Sequence, residues 1–82
     1  MVKILYFGRL SDRTQCREET IDLPDDICTI NALKTWLGQR HDLGDALNLE
    51  SIKTMINQEL VHGNESIANA QEIGFLPPVG GG

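Results

Sequence analysis

The C-terminal stretch decides the fold, and it reads Glu72-Ile73-Gly74-Phe75-Leu76-Pro77-Pro78-Val79-Gly80-Gly81-Gly82. Its first five residues alternate, with Ile73 and Phe75 on one face, and predict a β-strand over 72–76. Proline cannot donate a backbone N–H to a sheet, so this strand has to end where the two prolines begin. The pattern therefore predicts a folded body, residues 1–76, and an extended C-terminal tail, residues 77–82.

Four more strands are predicted upstream of this stretch. They are β-branched or alternating segments bounded by turn residues. A tight turn at Asn57-Gln58 joins the third and fourth, because asparagine tolerates positive φ. The predicted strands cover Val2–Phe7, Cys16–Leu23, Ile52–Asn57 and Glu59–His62.

One main helix is predicted between the second and third strands. Thr29 is its candidate N-cap, and the helix ends near His41. Apolar residues at i, i+3 and i+7 form its buried stripe, which consists of Ile30, Leu33 and Leu37. A second, shorter helical turn is expected to close the core with Leu43, Leu47 and Leu49.

The order strand, strand, helix, strand, strand, strand indicates an α+β domain. In a ubiquitin-like β-grasp, the first and last strands lie parallel at the centre of a mixed five-stranded sheet, and the helix packs across one face. The 82 residues are enough for one hydrophobic core and not for two. We therefore predict the β-grasp topology.

Charge and composition exclude several classes of protein. Seven Lys+Arg stand against twelve Asp+Glu, a net charge of −5, which argues against general nucleic-acid binding and favours docking onto a basic protein surface. No apolar run approaches the roughly 20 residues that span a bilayer, so no membrane association is expected. The N-terminal apolar run is too short for a signal peptide, and we expect a cytoplasmic protein.

The possible metal ligands are scattered along the sequence. Cys16, Cys28, His41 and His62 occur singly, without the tight spacing of a structural zinc site. We therefore expect no metal and no cofactor bound by this chain.

The tail suggests chemistry at the C-terminal carboxylate. The four residues after the prolines reach about 13 Å when extended, and a glycine tip without side chains can enter a narrow channel. A carboxylate has to be activated first, for example by adenylation with ATP, and can then accept sulfide or an amine. The plain alternative is a frayed terminus with no role.

Three segments together resemble the small subunits of molybdopterin synthase. They are the opening Val2-Lys3-Ile4-Leu5-Tyr6-Phe7, the segment Met55-Ile56-Asn57-Gln58-Glu59-Leu60-Val61, and the ending Phe75-Leu76-Pro77-Pro78-Val79-Gly80-Gly81-Gly82. The similarity follows the whole chain in order and length, and the ending is its most specific part.

This resemblance implies a sulfur carrier. An ATP-using, ubiquitin-activating-like adenylyltransferase would adenylate Gly82, which would then become a thiocarboxylate. The tail residues Pro77, Pro78, Val79, Gly80 and Gly81 would enter the active site of the large synthase subunit, and sulfur would pass to cyclic pyranopterin monophosphate. Family members form heterotetramers in which the large subunit supplies the catalytic side chains.

A partner-docking patch is predicted beside the root of the tail. Phe7, Leu60 and Leu76 fall on strand faces that can adjoin on the side away from the helix. Three alternatives to the synthase subunit stay open: a thiamine-pathway sulfur carrier, a ubiquitin-like protein modifier, and an interaction module whose tail has no function.

Overall fold

Five strands and two α-helices form the part of the chain that the computed structural model describes, residues 1–44, 46–49 and 51–77. A 3₁₀ turn, Ala46–Asn48, follows the second helix. Neither helix of these residues is long and apolar enough to cross a membrane. The elements are β1 (Val2–Tyr6), α1 (Arg9–Thr14), β2 (Glu18–Ile21), α2 (Ile30–Arg40), β3 (Lys53–Ile56), β4 (Glu59–Val61) and β5 (Glu72–Leu76).

The five strands make one mixed sheet in the order β2-β1-β5-β3-β4. β1 and β5 run parallel, whereas β1 with β2, β3 with β4 and β3 with β5 pair antiparallel. The predicted β-grasp is confirmed, because the two strands from opposite ends of the chain are neighbours. β5 is the middle strand, so the tail starts from the centre of the sheet.

One face of the sheet is buried under α2. In β1 the side chains of Val2, Ile4 and Tyr6 are buried, and in β5 those of Ile73 and Phe75 are completely buried. These positions alternate along each strand, as the sequence predicts. Neither helix of the described residues covers the opposite face, which holds the remaining side chains of the same strands.

The helix α2 begins and ends where its sequence predicts. The Thr29 side chain accepts a hydrogen bond from the backbone N–H of Ala32, with 3.3 Å between oxygen and nitrogen. At the other end the backbone N–H of His41 donates to the carbonyl of Leu37. The predicted stripe of Ile30, Leu33 and Leu37 is buried against the sheet.

Several strands are shorter than predicted. The strand predicted over Cys16–Leu23 extends only from Glu18 to Ile21. It begins late because Gln15 is left-handed (φ 62°) and the Thr14 hydroxyl donates to the carbonyl of Cys16. The turn at Asn57 and Gln58, with φ of 51° and 73°, ends β3 at Ile56. β4 begins at Glu59, as predicted, and ends one residue early, at Val61.

The prediction that Leu49 belongs to the core is wrong. Leu43 and Leu47 are buried, but the side chain of Leu49 is 56% exposed. It follows the 3₁₀ turn, whose three residues carry only Leu47 into the core. The spacing of apolar residues alone does not show at which residue a short helical turn ends.

Candidate functional site

The root of the tail is held between two strands. Leu76 is paired with Lys53 of β3, and the backbone N–H of Phe7 donates to the carbonyl of Phe75, 3.1 Å away. Pro77 is half-buried against Gly8, where an added Cβ atom would stand 3.0 Å from the proline Cγ. The direction of the chain is therefore fixed as far as Pro77.

The predicted tail residues Pro78, Val79, Gly80, Gly81 and Gly82 lie outside the described residues. Their insertion into a partner and the reactivity of Gly82 stay predictions. The described part of the site is the surface from which they extend.

That surface is the helix-free face of the sheet. Strand pairing places Leu5 beside Gly74, Gly74 beside Met55, and Met55 beside Leu60. These four residues form one row across four strands, since paired residues point to the same side. We call the row and its neighbours the apolar face: Leu5, Phe7, Met55, Leu60, Gly74 and Leu76.

All three predicted docking residues lie on the apolar face. The side chain of Phe7 is 39% exposed and that of Leu60 is 56% exposed, while Leu76 is half-buried. Exposed apolar side chains that share one surface are typical of a protein-binding site. Their role in binding stays a prediction, but the structure does place them on one side of the sheet.

Two side chains of the apolar face, those of Leu5 and Met55, were not predicted from the sequence. Met55 stands between Gly74 and Leu60, and Leu5 stands on the other side of Gly74. An ideal Cβ at Gly74 would lie 3.1 Å from Cε2 of Phe7 and 3.4 Å from Cε of Met55, so both side chains lie over this glycine. Strand register could have identified both residues, because Met55 is opposite Leu60 across a two-residue turn.

A cavity adjoins the apolar face at the root of the tail. Its volume is about 440 Å³, and Leu5, Phe7, Gly8, Arg17 and Glu18 are among its lining residues. The rim of the face is charged, with Lys3 and Glu18 3.5 Å apart as an exposed ion pair. Such a pair contributes little to stability but can orient a partner.

A hydrogen-bonded cluster lies on the other, helix-covered side of the sheet. One carboxylate oxygen of Glu19 accepts hydrogen bonds from the Tyr6 hydroxyl at 2.7 Å and from Nε2 of His41 at 2.5 Å. The other oxygen accepts from the guanidinium of Arg40 at 3.2 Å. The cluster thus joins the end of α2 to β2 and β1, and the sequence analysis did not find it.

The environment of this cluster shifts two pKa values. Burial, then the hydrogen bond to Glu19 and its negative charge, raise the pKa of Tyr6 far above its usual value. Burial by itself would raise the pKa of Glu19, but the hydrogen bonds from Tyr6 and His41, together with the nearby positive charge, outweigh it and lower that pKa. Both shifts favour the neutral tyrosine beside the ionised carboxylate.

Comparison with known proteins gives a consistent set of relatives. The sequence profile of the ThiS family matches residues 4–82. A protein of Haemophilus influenzae named "Molybdopterin synthase sulfur carrier subunit" is 37% identical, and the match covers 100% of both chains. A protein of the same name from Escherichia coli is 33% identical, again over 100% of both chains.

Solved structures share the fold. The crystal structure of SAMP1 from Haloferax volcanii has a TM-score of 0.79 at 22% identity, covering 99% of this chain and 98% of that one. A putative molybdopterin converting factor, subunit 1, from Pyrococcus furiosus has a TM-score of 0.76 at 25% identity, covering 95% and 97%. The similarity to SAMP1 concerns the architecture alone.

Proposed function

The chain belongs to the ThiS family, and from that membership we propose that it is the sulfur-carrier subunit of a molybdopterin synthase. The observation that carries the proposal is the similarity over the full length to curated carrier subunits, at 33–37% identity. The fold agrees with it, because β5 at the centre of the sheet leads directly into the tail through Pro77.

The proposed chemistry takes place at the C-terminal carboxylate. A carboxylate oxygen of Gly82 attacks the α-phosphate of ATP on a ubiquitin-activating-like adenylyltransferase, and pyrophosphate leaves. A sulfur nucleophile at the oxidation level of sulfide then attacks the acyl carbon and displaces AMP, which leaves a thiocarboxylate. No side chain of this chain takes part in these bond changes, and ATP belongs to the activating enzyme.

The loaded tail then acts in a partner. In this proposal the large synthase subunit receives Pro77, Pro78, Val79, Gly80 and Gly81 in a narrow channel and brings the thiocarboxylate to cyclic pyranopterin monophosphate. The thiocarboxylate sulfur bonds to the pterin in place of an oxygen substituent and forms a thioester. Water then hydrolyses this thioester, which leaves the sulfur on the pterin and restores the carboxylate of Gly82. Two such rounds supply a dithiolene. Two carriers and a dimer of large subunits make the proposed heterotetramer.

The apolar face supports the docking part of the proposal. It adjoins the root of the tail, so one partner can hold Phe7, Leu60 and Leu76 while the tail reaches its active site. Ordering the three terminal glycines costs roughly 3–6 kcal/mol. Docking of the folded body can offset that cost, because the tail then binds at a high effective concentration.

Intact-protein mass spectrometry tests the proposed reaction. The chain is incubated with ATP, magnesium, an adenylyltransferase of the ubiquitin-activating type and a sulfur donor. We expect a mass increase equal to the replacement of one oxygen by sulfur, and no increase in a variant that lacks Gly82.

The alternatives predict other products. A protein modifier would yield higher-mass conjugates that survive reducing agents, and a thiamine-pathway carrier would load sulfur but pass it to a thiazole synthase rather than to the pterin. No mass change with an activating enzyme shown to be competent on another carrier would contradict the proposal.

A further inference from the structure

The free thiol of Cys16 lies beside the cluster around Glu19 but is not one of the hydrogen-bond donors to that carboxylate. The Cys16 sulfur, one Glu19 carboxylate oxygen and one His41 ring nitrogen all lie within 4.8 Å of one another. Cys16 and Glu19 are close in the sequence, but 22 positions separate Glu19 from His41. Folding therefore assembles a ligand set that the spacing of cysteines and histidines does not reveal.

Three elements position the three side chains. Cys16 follows the left-handed residue that ends α1, Glu19 lies within β2, and His41 caps α2. The side chains of His41 and Glu19 are 15% and 16% exposed, so the site is sheltered but open to a small ion. Cys16 is a free thiol and is partly buried.

The donor set matches one class of cation. A thiolate, an imidazole and a carboxylate together suit borderline-soft divalent ions, of which Zn²⁺ is the usual one in proteins. Two negative ligands would balance the charge of the ion. We propose that Cys16, Glu19 and His41 bind one Zn²⁺ ion, with water in the fourth position.

Binding requires a small rearrangement. Tetrahedral bonds of about 2.0–2.3 Å place ligand atoms roughly 3.3–3.6 Å apart. Nε2 of His41 and Oε2 of Glu19, now 2.5 Å apart, therefore have to separate by about 1 Å as the ion replaces their hydrogen bond. On binding, the Cys16 thiol loses its proton to solvent. Nε2 of His41 gives up the proton that it donates to Glu19, which leaves a neutral imidazole protonated at Nδ1. Affinity for zinc therefore falls as the pH is lowered.

The hydrogen bonds that remain would orient the ligands. The Tyr6 hydroxyl donates to Oε2 of Glu19, and the Arg40 guanidinium donates to Oε1. Outer partners of this kind fix the direction of a ligating carboxylate. These two hydrogen bonds would hold the Glu19 carboxylate in place when the side chain of His41 moves.

Titration of the untagged full-length chain with Zn²⁺ and with Co²⁺ tests the proposal. A phosphine reductant replaces thiols, which would compete for the metal, and a chromophoric chelator reports the affinity for zinc. We expect one bound ion per chain and, with Co²⁺, the charge-transfer absorption of a cobalt–thiolate bond.

The chain contains a matched control for each variant. It has two cysteines and two histidines, and one of each lies outside the cluster, at Cys28 and His62. Cys16→Ser should abolish the cobalt–thiolate absorption, and His41→Gln should weaken zinc binding at least about ten-fold, whereas Cys28→Ser and His62→Gln should change neither. Glutamine can still donate a hydrogen bond to Glu19, and circular dichroism of each variant checks that it is folded.

Three results would overturn the proposal. One is the absence of saturable zinc binding by the folded chain. Another is a cobalt–thiolate absorption that survives Cys16→Ser. The third is an equal loss of zinc affinity in the Cys28 and His62 controls, which would place the metal on exposed groups.

Discussion

The side-chain carboxylate of Glu19 links three secondary-structure elements through hydrogen bonds. It accepts hydrogen bonds from Tyr6 in β1 and from Arg40 and His41 at the end of α2, although it lies on the edge strand β2. A charged acceptor makes such bonds stronger than those between neutral groups. The protonation state of Glu19 should therefore affect the stability of the whole domain.

The two pKa shifts predict how stability depends on pH. The folded pKa of Glu19 lies below its usual value of 4.5, so its stabilising effect is complete above that pH and is lost as the pH falls through the folded pKa. The folded pKa of Tyr6 is raised above its usual value of 10.0, so its effect is complete below pH 10 and is lost as the pH rises further.

Urea denaturation of the wild type and Glu19→Gln at several pH values measures both effects. We expect the difference in unfolding free energy between the two proteins to shrink as the pH falls below about 4.5. The same comparison between the wild type and Tyr6→Phe, made as the pH rises above 10, measures the effect of the tyrosine. A difference that does not change with pH would show that the carboxylate acts through its shape and not through its charge.

Leu60 and Leu49 form a matched pair for testing the docking patch. Both side chains are 56% exposed, but Leu60 lies on the apolar face and Leu49 follows the 3₁₀ turn. Leu60→Glu should weaken binding to the large synthase subunit at least about ten-fold, or about 1.4 kcal/mol. Leu49→Glu should leave binding unchanged.

Calorimetric titration with the large subunit measures this difference. Both variants should melt within about 4 °C of the wild type, because exposed substitutions change stability by about 0.5 kcal/mol. Equal loss of binding in both variants would contradict the patch, and Leu76→Glu extends the test to the root of the tail. A large fall in the melting temperature of Leu76→Glu would instead assign that residue to the core.

At the scale of elements, one residue of α2, Gly38, must be small because the backbone that follows the helix packs against it. An added Cβ at Gly38 would lie 2.5 Å from the carbonyl oxygen of Gly44, a backbone atom that cannot move aside as a side chain can. The backbone N–H of Leu43 also donates to the carbonyl of Gly38. The segment after the helix therefore folds back directly onto this residue.

Gly38→Ala should destabilise the domain, although alanine is the better helix former. Helix propensity alone would stabilise it by about 1 kcal/mol. The collision with the backbone should exceed that gain and give a net loss of about 1–3 kcal/mol. Gly63→Ala is the control, because its Cβ would meet no atom within 4 Å. Thermal denaturation of both variants measures the change in stability. A melting temperature of Gly38→Ala above that of the wild type would contradict the prediction.

The elements themselves were largely predictable from local chemistry. The bounds of β5 follow from alternation and proline, and those of α2 from the Thr29 cap and the apolar stripe. The start of β2 and the exposure of Leu49 were not predictable, because they depend on the left-handed Gln15 and on where a short turn stops. The Glu19 cluster depends on contacts between distant segments and leaves no local pattern.

At the scale of the molecule, the core formed by the described residues lies within the predicted folded body. Every buried hydrophobic residue of the described part lies between Val2 and Phe75. A chain truncated after Pro77 should therefore melt within about 4 °C of the full-length protein, which thermal denaturation measures. It should also still compete with the full-length carrier for the large subunit while accepting no sulfur. A large loss of stability would show that residues 78–82 belong to the folded body.

The position of β5 also determines how the domain responds to mechanical load. A pull on the chain at Pro77 in the direction of β5 would act on a strand that is bonded to β1 on one side and to β3 on the other. A pull in this direction loads both ladders in shear, so many hydrogen bonds must break together rather than one after another. A force applied in this direction should therefore leave the strand that bears it in place.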